Sequence, residues 1–314
     1  MDKKNQTQVT EFILLGLSDR PELRVPLFVL FLAMYLLTIT GNILTVVAIQ
    51  SDARLVRTPM YFFLSCLSSA DVCFTSVITP TTLLSLLGGQ GQGYAISYNG
   101  CLTQMYFFLI FGNIDSYLLA AMAIDRYVAI CNPLHYATVM SQRLCLILLA
   151  VSCLISHLHT IFQTTLASFL IFCASNRIPH FFCDIQPLLK LSCSYTSNQE
   201  VLGMTETLAA LMTPCVCIVV SYARILATVL RVPSAKGKRK AFSTCGSHLT
   251  VVTLFYGSMT WVYFRPLSSY VAVKDRVAAV MYTVITPLLN PFIYSLRNKD
   301  MQNALKKVVG RKVN

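Results

Sequence analysis

The stretch VPLFVLFLAMYLLTITGNILTVVAIQ, Val25–Gln50, runs for 26 residues without an Asp, Glu, Lys or Arg. A bilayer core about 30 Å thick is crossed by a helix of about 20 residues, each rising about 1.5 Å. This run is long enough to span a membrane. Working outward, Leu144–Asn176, Ala241–Phe264 and Val277–Leu296 are equally free of charge. Three more runs qualify with one acid each: Thr58–Leu87 around Asp71, Ser97–Ile124 around Asp115, and Val201–Ala223 around Glu206. Leu144–Asn176 is longer than a span and turns polar near Ser168, so the helix is expected over Ser141–Ser168, with loop beyond. The expected fold is an all-α membrane protein, a bundle of seven transmembrane helices.

Composition agrees. Of 314 residues 55% are hydrophobic and 12% charged, with a mean hydropathy of +0.62, too apolar for a water-surrounded domain. Low charge and only 13 Gly and 12 Pro exclude disordered, collagen-like and coiled-coil classes. The net charge of +12 is a topology signal. With the C-terminus in the cytoplasm, the inner segments carry sixteen Lys and Arg against Asp52, Asp125 and Asp300, and the outer ones nine against seven acids. The distribution excludes a nucleic-acid footprint and expects a multi-pass plasma-membrane protein, N-terminus extracellular.

Asn5-Gln6-Thr7, the chain's only glycosylation acceptor triplet, falls on that outer side. Met1–Arg24 has no apolar core, so no cleavable signal peptide is expected and the first span does the targeting. With no internal repeat and no long hydrophilic insert, residues 1–314 read as one domain: an extracellular segment to residue 24, a bundle over 25–296, and a cytoplasmic helix and tail over 297–314.

Eight of the twelve cysteines fall in spans or at their inner ends and read as small buried apolar residues. Cys101, Cys173, Cys183 and Cys193 lie outside, where two bridges are expected; four cysteines allow three pairings, which counting leaves open. A metal site there would have only His180 to add.

Several motifs sit at matching ends of matching spans: Pro59-Met60-Tyr61-Phe62-Phe63-Leu64-Ser65, Met122-Ala123-Ile124-Asp125-Arg126-Tyr127-Val128-Ala129-Ile130-Cys131, Ser221-Tyr222, Lys240-Ala241-Phe242-Ser243-Thr244-Cys245-Gly246-Ser247-His248-Leu249, and Pro287-Leu288-Leu289-Asn290-Pro291-Phe292-Ile293-Tyr294. Together they resemble, over essentially the whole chain, the vertebrate olfactory receptors of the tetrapod-type class II, within the rhodopsin-like G-protein-coupled receptors. Ile124 stands where that family often has an aromatic residue.

The resemblance implies a Cys101–Cys183 bridge from loop to third span and a Cys173–Cys193 bridge within the loop. It implies a sodium ion between Asp71 and Asp115, supported by Asn42 and Asn290; the plainer alternative is a protonated, hydrogen-bonded pair. It further implies that Asp125, Arg126, Tyr127, Tyr222, His248, Asn290 and Tyr294 carry activation. Arg126 is released as the sixth span swings outward and then meets a heterotrimeric G protein of the stimulatory type, raising cAMP. The basic run Lys236–Lys240 suits anionic lipid or the G protein about equally. Arg297–Val309, with Met301, Leu305, Val308 and Val309 on one face, reads as a short interfacial helix, and no cysteine follows Cys245 to carry a palmitate.

Position by position, the resemblance brings Phe108, Leu109, Gly112, Asn113, Thr207, Tyr256, Met259, Thr260, Tyr263 and Thr283 toward an outer cavity. That lining, apolar and aromatic with a few hydroxyls and one amide, favours a small, mostly hydrophobic volatile odorant. Tyr256 and Tyr263 stand out, each with a ring to pack and a hydroxyl to aim. No Lys lies between Val277 and Leu296, which excludes a retinal Schiff base. Phe108 occupies the place where amine receptors carry a carboxylate, although Glu206 remains a candidate to attract an amine. No cofactor is expected beyond the sodium, and no catalytic residues: His157 and His159 lack a Ser or Cys partner at a persuasive spacing. The rival class is an ion-coupled transporter or channel using Asp71, Asp115 and Glu206, which needs a continuous polar path or interrupted helices that the chain does not clearly have.

Overall fold

The computed structural model describes residues 9–18, 20–88, 93–172, 175–194, 197–231, 235–263, 271–296 and 298–310. Its long helices are α1 (Arg24–Gln50), α2 (Pro59–Leu87), α3 (Tyr98–Cys131), α4 (Gln142–Ser168), α5 (Ser197–Arg231), α6 (Ala235–Tyr263) and α7, which runs through Ala272–Val280, Met281–Ile285 and Thr286–Leu296; α8 is Lys299–Gly310. Among the described residues, stretches of six helices are long and apolar enough to cross a membrane. The remaining long helix, α6, is diluted by Gly246, Ser247 and His248. Several helices outrun their charge-free cores, because a helix continues into the interface wherever its polar ends reach water. Ser141 stands just outside α4 as its cap, its hydroxyl accepting from Leu144 N at 3.3 Å.

Prolines fix how the bundle fits together. Pro291 has no N–H, so the carbonyl of Pro287 loses its helical donor, a costly loss in a membrane. Asn42 of α1 replaces it, donating Nδ2 to Pro287 O at 3.0 Å. One residue earlier, a Cβ on Gly41 would come within 3.0 Å of Pro291 Cγ, so the close α1–α7 approach needs a glycine. Pro214 similarly frees Ala210 O in α5, toward which Tyr117 OH of α3 reaches at 3.4 Å. In α7, Met281–Ile285 forms a π turn just before Pro287, and Thr286 Oγ1 donates to Met281 O at 3.0 Å.

The bundle's outer end is the one carrying the Cys101–Cys183 bridge. There the structure adds something to the all-α expectation: a three-stranded sheet of β1 (Glu11–Leu14), β2 (Tyr94–Ser97) and β3 (Arg177–Ile178), in the order β2-β1-β3. β1 pairs antiparallel with β2, from Glu11↔Ser97 to Leu14↔Tyr94, and parallel with β3 through Ile13↔Arg177 and Leu14↔Ile178. Alternation buries Phe12 and Leu14, and Phe12 packs edge-on to Phe172 at 5.0 Å. At the inner end, α8 buries Met301 and Ala304, leaving Leu305 and Val308 partly buried. Val309, expected on the same face, is exposed, because the face drifts past it by the last turn. Arg297, Asn5 and Cys173 lie outside the described residues; Cys193 is disulfide-bonded, and its expected partner is Cys173.

Candidate functional site: an outer chamber and an inner latch

Gln104 organises the roof. One turn inward from Cys101, it donates to Val77 O (3.1 Å) and Thr81 Oγ1 (2.7 Å) of α2, while its Oε1 accepts from Cys183 N (2.9 Å). The bridge and this amide together hold the loop against α2 and α3. That draws the short helix Ile185–Leu191 over the bundle, with Asp184 capping it by accepting from Ile185 N at 2.7 Å.

Beneath lies a chamber, partly open to its surroundings, with about 460 Å³ of space between atoms, some of it continuous with solvent. Phe108, Leu109, Gly112 and Asn113 of α3 line it, with Thr207 of α5 and Met259 and Tyr263 of α6. Those seven were expected. Three others do not line it. Thr260 is exposed on the other side of α6, one residue on from Met259. Tyr256 sits deeper, its hydroxyl 2.6 Å from Ser116 Oγ and donating to Ser116 O at 3.2 Å. Thr283 is buried and donates to Ala279 O of its own helix at 2.7 Å. The structure adds Phe74, His159, Gln163, Ile185 and Leu211 to the walls. A second recess shares Gln163, Ile185, Thr207 and Tyr263 with the chamber and runs between the outer ends of α4 and α5 past Ala167 and Gly203.

The chamber is polar on one side. Asn113 Nδ2 lies 2.7 Å from His159 Nδ1, and His159 Nε2 lies 3.0 Å from Glu206 Oε2, an approach short but too bent for a good hydrogen bond. Gln163 Nε2 is 2.7 Å from the same carboxylate oxygen and 2.9 Å from Thr207 Oγ1. His157, by contrast, faces Tyr106 OH at 3.0 Å. In the roof, Tyr263 OH donates to Asp184 at 3.1 Å. Burial raises the Asp184 carboxyl to about 6, and burial, aided by the Arg276 charge, lowers the His180 imidazole to about 3.

Lower in the bundle, Asn290 Nδ2 donates to Asp71 Oδ2 at 2.8 Å, and Asp115 is buried nearby. Asp115 Oδ1, Asn42 Oδ1, Asn290 Oδ1, Ser68 Oγ and Thr75 Oγ1 are buried without a hydrogen-bond partner among the described residues. These are all hard oxygen donors. At the inner end, Asp125 holds Arg126 at 3.6 Å (Oδ2 to Nε) and accepts from Tyr136 OH at 2.7 Å through Oδ1. His248 Nε2 is 3.0 Å from Leu119 O; a carbonyl only accepts, so that nitrogen carries the proton. Its Nδ1 therefore accepts from Tyr222 OH, 2.8 Å away. Ser247 Oγ donates to Ile293 O at 3.2 Å, so α6 is fastened to α3, α5 and α7. Tyr127 packs against the small cluster of Ile225, Val229 and Cys245, and Tyr294 is buried.

A roofed chamber among long membrane helices, above an Asp-Arg-Tyr triplet held at the inner end of the third, defines a receptor of the seven-span, G-protein-coupled class. The chain belongs to the olfactory receptor family: the family model described as "Olfactory receptor" matches residues 31–312. It is 64% identical to human Olfactory receptor 1L6 over 99% of this chain and 89% of that one. It is 62% identical to human Olfactory receptor 1L1 (99% and 85%) and 55% identical to rat Olfactory receptor 1f45 (98% and 97%). It is thus an odorant receptor, an integral membrane protein that couples to G proteins and is not an enzyme. Membership disfavours the transporter or channel reading.

Proposed function

We propose that this receptor lies in the plasma membrane with its N-terminus outside, binds a small, mostly apolar volatile in the roofed chamber, and activates a stimulatory G protein, raising cAMP. The observation that carries this reading is the position of α6. It meets the chamber through Met259 and Tyr263, and one turn below it is fastened to α3 by the Tyr256–Ser116 contact. Its inner half is held by His248 on Leu119 O, close to Arg126. A ligand that fits better when α6 is displaced favours that state by its differential affinity alone. Displacement uncovers Arg126, which can then exchange its Asp125 partner for a G-protein segment that accepts from its guanidinium.

The charge asymmetry of the inner and outer segments supports the orientation. The unpartnered oxygens around Asp71 and Asp115 suit a sodium ion, which would be held by those two carboxylates with Asn42 and Asn290 and would offset their like charge. Exposed Lys306 and Lys307 on α8 suit anionic lipid.

In transfected cells a panel of volatiles is expected to raise cAMP, and Arg126→Ala to abolish the rise at an unchanged surface level. An Arg126→Ala receptor that responds like the wild type overturns the reading.

A further inference from the structure

We propose that the chamber selects an apolar molecule ending in a hydroxyl, an alcohol or a phenol, and that Glu206 sets this choice from behind the wall by fixing the amide of Gln163. The inference rests on the odorant-binding reading of the same chamber. Gln163 Nε2 reaches Glu206 Oε2 at 2.7 Å, Thr207 Oγ1 at 2.9 Å and Gly203 O at 3.3 Å. A carboxylate and a carbonyl only accept, so the amide must turn its NH₂ to that side. Its Oε1 then points the other way, and among the described residues no hydrogen bond reaches it. Thr207 Oγ1 accepts from the same NH₂, which leaves its own hydroxyl proton to be donated elsewhere. Gln163 and Thr207 both belong to the chamber's largely apolar wall, where the Gln163 carbonyl and the Thr207 hydroxyl form the proposed acceptor and donor.

One ligand hydroxyl satisfies both, donating to Gln163 Oε1 and accepting from Thr207. An ester or ketone has no proton and leaves the Gln163 carbonyl buried and unpaired. A carboxylate brings negative charge toward Glu206 with no Lys or Arg on the chamber wall. An ammonium is drawn by the Glu206 charge, but the Gln163 amide and Thr207 stand between them, and it brings three donors to one acceptor and sheds its hydration amid Phe74, Phe108, Leu211 and Met259. Glu206 is the control element because its Oε2 makes the shortest of the three contacts to the Gln163 amide, at 2.7 Å.

The test uses purified full-length receptor in lipid nanodiscs. Hexyl, octyl and 2-phenylethyl skeletons, each carrying a hydroxyl, methyl ester, carboxylate or amine, are compared by saturation-transfer NMR. The alcohol of at least one skeleton is expected to bind at least about tenfold tighter than its three matched partners. In Glu206→Gln the neighbouring side chain can offer either an oxygen or an NH₂, only the longer Gly203 O contact still demands the NH₂, and the preference for alcohol over ester is expected to fall to within about threefold. Thr207→Val is expected to weaken alcohol and ester alike, about tenfold. Equal or tighter binding of ester, acid or amine, no alcohol bound on any skeleton, or a Glu206→Gln receptor with its full preference overturns the proposal. No G protein takes part, so this failure is distinct from failure of the Arg126→Ala test.

Discussion

The outer and inner halves of the bundle hold α6 by different means. Outside, Met259 and the ring of Tyr263 meet α6's helical neighbours across a chamber by adjustable dispersive contacts, while the Tyr263 hydroxyl bonds Asp184 of the roof loop and not another helix of the bundle. Inside, α6 is joined to α3 through directional bonds at Tyr256–Ser116 and His248–Leu119. Dispersion accommodates small shifts continuously, whereas a buried hydrogen bond is made or lost. The outer half is therefore suited to reading ligand shape and the inner half to switching between two states.

The largest effect expected from breaking this division is on the roof. Cys101→Ser removes a bridge spanning 82 residues of sequence, at a cost of about 2–5 kcal/mol, and leaves the loop to the weaker hold of Gln104, the Tyr263–Asp184 bond and the β3 pairing. Surface expression measured by an N-terminal tag should collapse; expression near the wild-type level would mean that the sheet and Gln104 suffice. A smaller effect belongs to the latch. Tyr256→Phe keeps the ring and removes both bonds to Ser116, about 1 kcal/mol of closed-state hold, so basal cAMP should rise roughly fivefold. Unchanged basal cAMP would transfer the restraint to His248.

The smallest effect is acidic. The folded-state value of His180 lies below that of a free imidazole, so the unfolded chain binds more protons between about pH 6.5 and about 3, and stability is lost as pH falls through that window. Asp184, raised to about 6, acts oppositely: its burial costs stability above about pH 6, and that cost disappears on acidification. Thermal melts of His180→Phe should lose the acid-side decline that the wild type retains after the Asp184 gain. Parallel melting curves would show that His180 does not titrate within this window.

Much of the bundle was legible in the sequence because lipid imposes a simple rule of length and charge. The spans, the Asp71–Asp115 neighbourhood and the Asp125–Arg126 pair follow from it and from motif position. The Cys101–Cys183 bridge came from family pattern, since spacing alone left three pairings. The sheet was not legible: β1 is four residues long, and its β3 partner lies more than 160 residues away. The Glu206–His159 contact was hidden for a related reason. The two side chains sit on different helices, and a sequence gives neither helix's rotation about its axis. The same missing rotation misassigned Thr260, one residue of turn from Met259. The lone charge in the fifth span and the paired histidines of the fourth were the available signals, but nothing in the sequence joined them.

The central claim is that filling the outer chamber moves the inner end of α6. Spin labels at the inner ends of α3 and α6, read by double electron–electron resonance before and after an activating volatile and G protein are added, test it most directly. The account predicts that the distance lengthens and that the Tyr256→Phe receptor already samples the longer distance without ligand. An unchanged distance in a receptor that nevertheless raises cAMP would contradict it.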